Sequence, residues 1–429
     1  MTQFVVQLNS SEATDAARFG PKAANQAALG QAGLPIPDGF CIGAEVYRAQ
    51  LKASGVEEDA LGYYGADFEQ ARAMANRVRL ALYTKEIAPE IKAQLSQARR
   101  DMIERNGPLV VVRSSALVED REGSTFAGQF ESFLGLETEE DFFTAVRACW
   151  AALWAPRALR YMGVHDIDPG STAMALLVQP LVEAVASGGG LSRTADGGML
   201  VSATWGLGEA IAQGEVVPDR YDLDGSGEVI DTETGFKEHS VHCHHHQAPQ
   251  PRAETRERQA ESCLTHDQAK ELGGYMKVAE KMLGQAAEVE WAMDAAGIKM
   301  LQARPLHMEE APVPDAEWEK YPAVRGQPGG VGWGAGRAVV INCECEIGRI
   351  GPGDVLVTKV AGPALAQVLT KVSGVVAELG GSTSHLASLS RERRIPMVLG
   401  VRDATTRIPD GVQVGVDGVA GVVRWAQDA

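Results

Sequence analysis

The sequence predicts a multidomain protein of mixed α/β and α+β class. Three observations carry that prediction. The chain has 429 residues, room for two to three domains at roughly 100–200 residues each. Over its first part, helical apolar spacing alternates with short β-branched runs. From about residue 323 the texture changes to short Val-rich runs separated by Gly turns. Apolar residues at 45% and charged residues at 23% are ordinary for a globular chain. The net charge of −17 argues against a nucleic-acid-coating protein. It leaves open a phosphate-bearing ligand, which needs only a local cluster of positive charge. The longest apolar run, Ala148 to Ala155, is eight residues, too short to cross a bilayer. No secretory pattern stands in residues 1–20. The six cysteines include no CxxC pair, and Cys343 and Cys345 have a poor zinc spacing. Free thiols in a reducing cytoplasm are expected.

Taken in chain order, Gly20-Pro21-Lys22 opens a helix whose apolar side is Ala24, Ala28 and Ala32, ending at Gly33. A lysine at a helix start opposes the dipole, so it reads either as an anion site or as a plain surface lysine. The strand Leu109-Val110-Val111-Val112 runs into Arg113-Ser114-Ser115-Ala116. Gly123 to Gln129 is a loop of Gly and hydroxyl residues, which can offer backbone N–H groups to phosphates. A buried, salt-bridged Arg113 is the bland alternative. His239, His242, His244, His245 and His246 surround Cys243. They read as a solvated loop or strand with adventitious affinity for Zn²⁺ or Ni²⁺. Thr265 and Gln268 form a capping box ahead of Ala269, Leu272, Met276, Ala279 and Leu283 at helical spacing. That helix is structural.

Residues 288–304 read as strand, three-residue turn (Ala295, Ala296, Gly297), strand. With Asp294 facing Ile298, Glu290 lies opposite Gln302 and Glu288 opposite Arg304, all on one face. Oxygen donors about 4.5–5.5 Å apart at their Cβ atoms suit Mg²⁺, which usually keeps waters and phosphate oxygens. Arg304 would hold a phosphate or neutralise Glu288. A solvated cross-strand salt bridge is the competing reading. A segment rich in Pro and charge, Glu309 to Asp315, reads as a linker. The linker as a whole, 309–322, is about 14 residues and would reach roughly 45 Å when extended.

Gly380-Gly381-Ser382-Thr383-Ser384-His385 follows the strand Val375-Val376-Ala377 and precedes a helical stretch, Leu386 to Arg393. The glycines allow a tight turn and the hydroxyls can cap the helix. His385 therefore sits at a helix N-terminus, where a phosphoryl group would meet free N–H groups. The same field would keep the imidazole neutral and nucleophilic. A capping or core histidine is the alternative.

Taken together these residues resemble the phosphoenolpyruvate synthase / pyruvate phosphate dikinase group, which includes rifampin phosphotransferase and phenylphosphate synthase. The resemblance runs through Gly20 to Asn25, Gly33 to Phe40, Val112 to Ala116, Phe126 to Gln129 and Trp205-Gly206-Leu207-Gly208-Glu209. It continues through Glu290-Trp291-Ala292, Leu301 to Pro305 and Gly380 to Pro396. It implies a two-lobed ATP-grasp domain followed by a β/β/α swivelling phosphohistidine domain. The implied boundaries are 1–180 for the first lobe, 181–308 for the second, 309–322 for a linker and 323–429 for the histidine domain.

The resemblance also implies roles. Lys22 and Arg113 would bind ATP phosphates, with Gly128, Gln129 and Ser132 on a phosphate-covering loop. Gln179 and Leu181 would border the adenine, and Glu209 would belong to the nucleotide site. Glu290 and Gln302 would hold Mg²⁺, with Arg304 near the phosphates. His385 would attack the β-phosphorus of ATP and expel AMP. Two departures stand out: Gly188-Gly189-Gly190-Leu191-Ser192-Arg193 replaces the usual Val-Met-Phe-Thr stretch, and Phe130 and Ser132 replace a polar residue and a threonine. With nucleotide and histidine domains filling the chain, the expected reading is one component of a split phosphotransferase. A separate subunit would present a small-molecule hydroxyl acceptor, such as a phenol, without nucleic acid or membrane. The rivals are a single-chain antibiotic-type phosphotransferase and a non-catalytic nucleotide-sensing scaffold.

Overall fold

A computed structural model describes residues 4–119, 130, 132–243, 249–306, 318 and 320–426. The chain forms two compact units. One comprises Met1–Glu183, Cys243–Gln250 and Gly297–Arg304; the other comprises Ala184–His242, Pro251–Ala296 and Pro305–Ala429. Of the stretch read from the sequence as second lobe, 181–183, 243–250 and 297–304 fall in the first unit, and the rest falls in the second unit together with 323–429.

The first unit is built on five strands: β1 (Val5–Gln7), β2 (Phe40–Ile42), β3 (Val110–Ala116), β4 (Ser132–Leu136) and β5 (Met174–Pro180). Their spatial order is β1-β2-β5-β3-β4, antiparallel throughout. Strand alternation sends successive side chains to opposite faces. Phe40, Ile42, Val110, Val112, Leu176 and Val178 enter a large core that includes Trp150 and Trp154. Cys41 and Leu177 face the other way, onto Phe19, Ala23 and Ala27 of the first helix. Arg113 is the register partner of Leu177, so it projects on the face covered by that helix.

The first helix, Ala16–Gln31, is broken at Gly20, whose φ is +73°. A Cβ at Gly20 would lie 2.3 Å from the Ser115 carbonyl oxygen. Pro21 then starts the second segment, where its missing N–H costs nothing. The buried side differs from the expected Ala24, Ala28 and Ala32. Ala23, Ala24, Gln26 and Ala27 are buried, whereas Ala28 is half-buried and Ala32 exposed. The helix turns Ala23 and Ala27, four residues apart, onto Cys41 and Leu177 of the sheet.

The second unit contains β6 (Ala186–Leu191), β7 (Met199–Trp205), β8 (Asp219–Leu223), β9 (Val229–Glu233), β10 (His239–His242), β11 (Gln250–Ala253) and β12 (Ala287–Asp294). Within it the order β12-β6-β7-β8-β9 is antiparallel. The helix His266–Leu283 carries the expected Thr265–Gln268 capping box, buries Ala269, Leu272, Met276 and Ala279, and stops at left-handed Gly284. After β12 the chain turns through Ala295 and Ala296 into β13 (Gly297–Pro305). The turn is one residue shorter than expected, because Gly297 (φ +117°) already belongs to the strand.

The C-terminal sheet has eight strands: β14 (Ala323–Arg325), β15 (Gln327–Gly330), β16 (Trp333–Ile341), β17 (Val355–Thr358), β18 (Gly374–Ala377), β19 (Met397–Leu399), β20 (Gln413–Asp417) and β21 (Val422–Trp425). Its order is β14-β21-β20-β16-β17-β18-β19-β15. The stretch β16-β17-β18-β19 is parallel, buried and Val-rich, as parallel strands covered on both faces require. The helix His385–Glu392 connects β18 to β19. No helix among the described residues is long and apolar enough to cross a membrane.

The cysteine expectation is corrected at one place. Cys343 and Cys345 are joined by a disulfide, with Cα atoms 5.3 Å apart, inside the range the bond needs. Cys41, Cys149, Cys243 and Cys263 are not bridged. Thiol titration of the denatured chain, isolated without reductant, is expected to count four thiols and to gain the remaining pair on reduction. In the first unit, Gly20→Ala forces both a left-handed alanine and a backbone clash. It should cost about 1–3 kcal/mol or more, read as a lowered denaturation midpoint.

Candidate functional site

The first unit gathers the predicted cations around β3. The first helix presents Lys22 one residue past Pro21. Its Nζ donates to the Ser114 carbonyl at 2.9 Å and lies 3.5 Å from Glu119 Oε2. The Lys22 side chain is 14% exposed and Glu119 5%. The lysine placed against the helix dipole therefore already has an anionic neighbour within the chain. Ser115 Oγ accepts from the Ala23 amide at 3.1 Å, so this hydroxyl pins the helix to the strand.

Arg113 reaches the strand that carries Gln302. Its Nη1 donates to the Leu301 carbonyl at 2.8 Å and its Nη2 to Gln302 Oε1 at 3.0 Å. The same strand is gripped by the first helix: Gln26 Nε2 donates to the Met300 carbonyl at 2.7 Å and Asn25 Nδ2 to the Ala303 carbonyl at 3.1 Å. Sequence reasoning gave Gln26 and Glu119 no role. A glutamine inside an otherwise apolar helix stripe was the available signal for Gln26. Ser132 is the cross-strand partner of Arg113 on β4 and is exposed.

Gln179 is buried on β5 opposite Val111, and its Nε2 donates to the Pro37 carbonyl at 3.3 Å. Leu181 follows that strand, half-buried, its amide bonded to the Leu109 carbonyl at 2.9 Å. Arg304 lies half-buried near the end of β13. Gly128 and Gln129, with the loop from Gly123, lie outside the described residues, as do His244 to His246 and the linker segment Glu309 to Asp315.

In the second unit, Glu209 opens the short helix Glu209–Ala212. Burial, and after it the neighbouring Glu215 carboxylate, push the Glu209 carboxyl above its ordinary value. Glu215 Oε2 also lies 3.2 Å from His239 Nε2, so one member of the histidine cluster has a carboxylate beside it. His242 Nε2 meets Ser240 Oγ at 2.8 Å.

Glu290 lies on β12 directly opposite Gly189 on β6, and Glu288 opposite Leu191. Opposed residues share a face, so the side chain of Glu290 rises from the face that a Cβ at Gly189 would occupy. That position is taken. A Cβ built on Gly189 would lie 2.7 Å from Thr383 Cβ. The loop ending at His385 therefore lies over the face that carries Glu290. His385 is the first residue of its helix, and Ser384 is the N-cap, accepting from the Ala387 amide at 3.3 Å. Ser382 Oγ and Thr383 Oγ1 are buried with no hydrogen-bond partner among the described residues.

These features fit the implied ligands. Two unpartnered buried hydroxyls beside a helix N-terminus suit phosphate oxygens. The Glu290 carboxylate is a hard-oxygen donor of the kind Mg²⁺ takes. Among the described residues, no group of three or more His, Cys, Asp and Glu side chains forms a metal cage.

The comparisons with known proteins converge on the same regions. The domain described as pyruvate phosphate dikinase, AMP/ATP-binding domain, matches residues 16–323. The chain belongs to the phosphoenolpyruvate synthase / pyruvate phosphate dikinase family. The family's PEP-utilising enzyme, mobile domain, matches residues 350–421. The chain is similar to the phosphoenolpyruvate synthase of Pyrococcus furiosus, with 29% identity over 98% of this chain and 58% of that protein. The corresponding figures for the phosphoenolpyruvate synthase of Aeropyrum pernix are 31%, 94% and 56%. The chain thus spans less than two thirds of the length of the curated relatives it matches. Lys22, Arg113, Glu290 and Gln302 fall within the AMP/ATP-binding match and His385 within the mobile-domain match.

Gln302→Leu keeps the side-chain volume but removes the acceptor of Arg113 Nη2. Losing a hydrogen bond to a charged group should cost about 1.5–3 kcal/mol, measured by chemical denaturation without any ligand.

Proposed function

We propose that this chain transfers a phosphoryl group from ATP through His385. The imidazole nitrogen of His385 attacks the β-phosphorus of ATP; the bond from that phosphorus to the bridging oxygen breaks, and AMP departs with the electron pair. The γ-phosphate is then lost from the pyrophosphoryl-histidine to water or phosphate, leaving phospho-His385. Its phosphorus is finally attacked by an acceptor hydroxyl, which loses its proton as the P–N bond breaks.

The observation that carries this reading is the meeting of Thr383 with the Glu290 face over Gly189. It brings the loop that precedes His385 against the sheet that bears Glu290. The main obstacle is repulsion between the polyphosphate and its attacker. Catalysis is then mostly positioning and opposing charge. Lys22 and Arg113 supply fixed positive charge, and Arg304 adds to it. Gly128, Gln129 and Ser132 would cover the phosphates, and Gln179, Leu181 and Glu209 would line the nucleotide. Mg²⁺ held by Glu290 and Gln302 would screen the phosphate oxygens when bound.

The organisation that goes with this reading is a two-lobed ATP-grasp part and a swivelling histidine domain, in the cytoplasm. The acceptor is an organic hydroxyl, phenol-like in the first instance, presented by a separate acceptor-binding subunit.

Incubation with Mg²⁺-ATP should release AMP and leave an acid-labile phosphoenzyme. His385→Ala should abolish both, and chelation of Mg²⁺ should stop them reversibly. Arg113→Met should slow AMP release by about 10²–10³-fold, the usual cost of losing one preorganised charge-stabilising group. Absence of AMP release from the wild-type chain would sink the proposal. Phosphorylation of phenol by the purified chain alone would move the acceptor site onto this chain.

A further inference from the structure

The fold assigns the three consecutive glycines of β6, Gly188 to Gly190, different tasks. A Cβ at Gly188 would lie 1.9 Å from the Ser202 carbonyl oxygen on the neighbouring strand, so that glycine belongs to the sheet itself. A Cβ at Gly190 would meet the Met276 sulfur, a flexible side chain that can move. Gly189 is different. Its missing side chain is replaced by Thr383, with Cβ, Cγ2 and Oγ1 at 2.7, 2.8 and 3.0 Å from the built position.

Around this point the histidine loop is held by further contacts. The Gly380 amide donates to the Val216 carbonyl at 3.0 Å. A Cβ at Gly381 would lie 2.4 Å from Pro218 Cγ, and the Pro218 carbonyl accepts from Gln327 Nε2 of β15 at 3.0 Å. From the histidine helix, Ser388 Oγ donates to Glu288 Oε1 at 2.8 Å, and Arg391 Nη2 lies 3.1 Å from Glu288 Oε2. Arg391 and Glu288 are 7% and 8% exposed. Arg391 Nη1 also donates to the Ser382 carbonyl at 2.6 Å and to the Gly329 carbonyl at 3.0 Å. One guanidinium thus ties the loop before His385, the helix after it, and the strand that carries Glu290.

We propose that Gly189 and Arg391 are positioning residues: Gly189 is the seat into which Thr383 docks, and the Arg391–Glu288 pair is the clasp that keeps the His385 segment on that seat. A valine at 189 would exclude this docked position outright. The glycine lets the loop approach the Glu290 face by the thickness of a side chain. The ion pair is well suited to a clasp. A buried pair holds strongly while all its hydrogen bonds are made, and each ion regains hydration on separation. The catalytic consequence rests on the phosphohistidine reading above; the docking itself does not.

The test uses the full chain. Hydrogen exchange of the amides of 386–391 reads docking without any ligand. Gly189→Ala should speed their exchange at least tenfold, and Gly189→Ala/Thr383→Gly should restore protection, because the second change vacates the space the new Cβ needs. Arg391→Met should also speed exchange, and Arg391→Lys should recover part of the protection. With Mg²⁺-ATP, Gly189→Ala should slow phosphoenzyme formation about 10²-fold, as expected for a misplacement of about 1 Å. Its affinity for ATP should be unchanged. Unaltered exchange in both Gly189→Ala and Arg391→Met would overturn the proposal. Wild-type protection that falls in the variants, in a chain that forms no phosphoenzyme, would support the docking and count only against the phosphotransfer reading.

Discussion

The buried pair of Arg391 and Glu288 is the interaction on which the second unit turns. Two charges placed in a poorly hydrated interior cost several kcal/mol each in lost hydration. That cost is offset only when every hydrogen-bonding position is used. Arg391 replaces lost hydration with two carbonyls, one hydroxyl and one carboxylate, and Glu288 does so with Arg391 and Ser388. Removing either member would strand the other. The pair therefore fixes the helix that begins at His385 relative to β12, and through β12 relative to Glu290.

The first unit uses a comparable device with a different balance. Arg113 is held by a backbone carbonyl and the Gln302 carboxamide, neither of which cancels its charge. Lys22, by contrast, has the buried Glu119 carboxylate 3.5 Å away. The Leu301 carbonyl and the Gln302 carboxamide are both neutral acceptors. In a chain of net charge −17, an anionic ligand would meet placed charges of this kind rather than an overall attraction.

Local signals were strongest where short-range physics decides the outcome. The Thr265–Gln268 cap, the hairpin strands around Ala295-Ala296 and the Ser384 cap before His385 all follow from contacts within a few residues. The buried stripe of the first helix differs from the expected one because an alanine-rich helix offers several equivalent faces, and packing onto Cys41 and Leu177, far away in sequence, selects Ala23 and Ala27. The Cys343–Cys345 bond was missed because spacing alone does not reveal how the backbone brings the two Cβ atoms together. The glycines at 188–190 were legible only as a departure; which of them faces a strand, a methionine or the histidine loop depends on the register of β6.

The sequence by itself determined the class of fold, the family and the residue types able to handle phosphate, because these rest on pattern and on side-chain chemistry. Only the tertiary structure decided which of those residues meet. It bonded Arg113 to Gln302 across 189 positions of chain and brought Thr383 over Gly189, opposite Glu290. Such contacts are set by strand register and by the close approach of backbones that lack a Cβ. Both depend on the packing of distant segments, and so neither is written in local sequence.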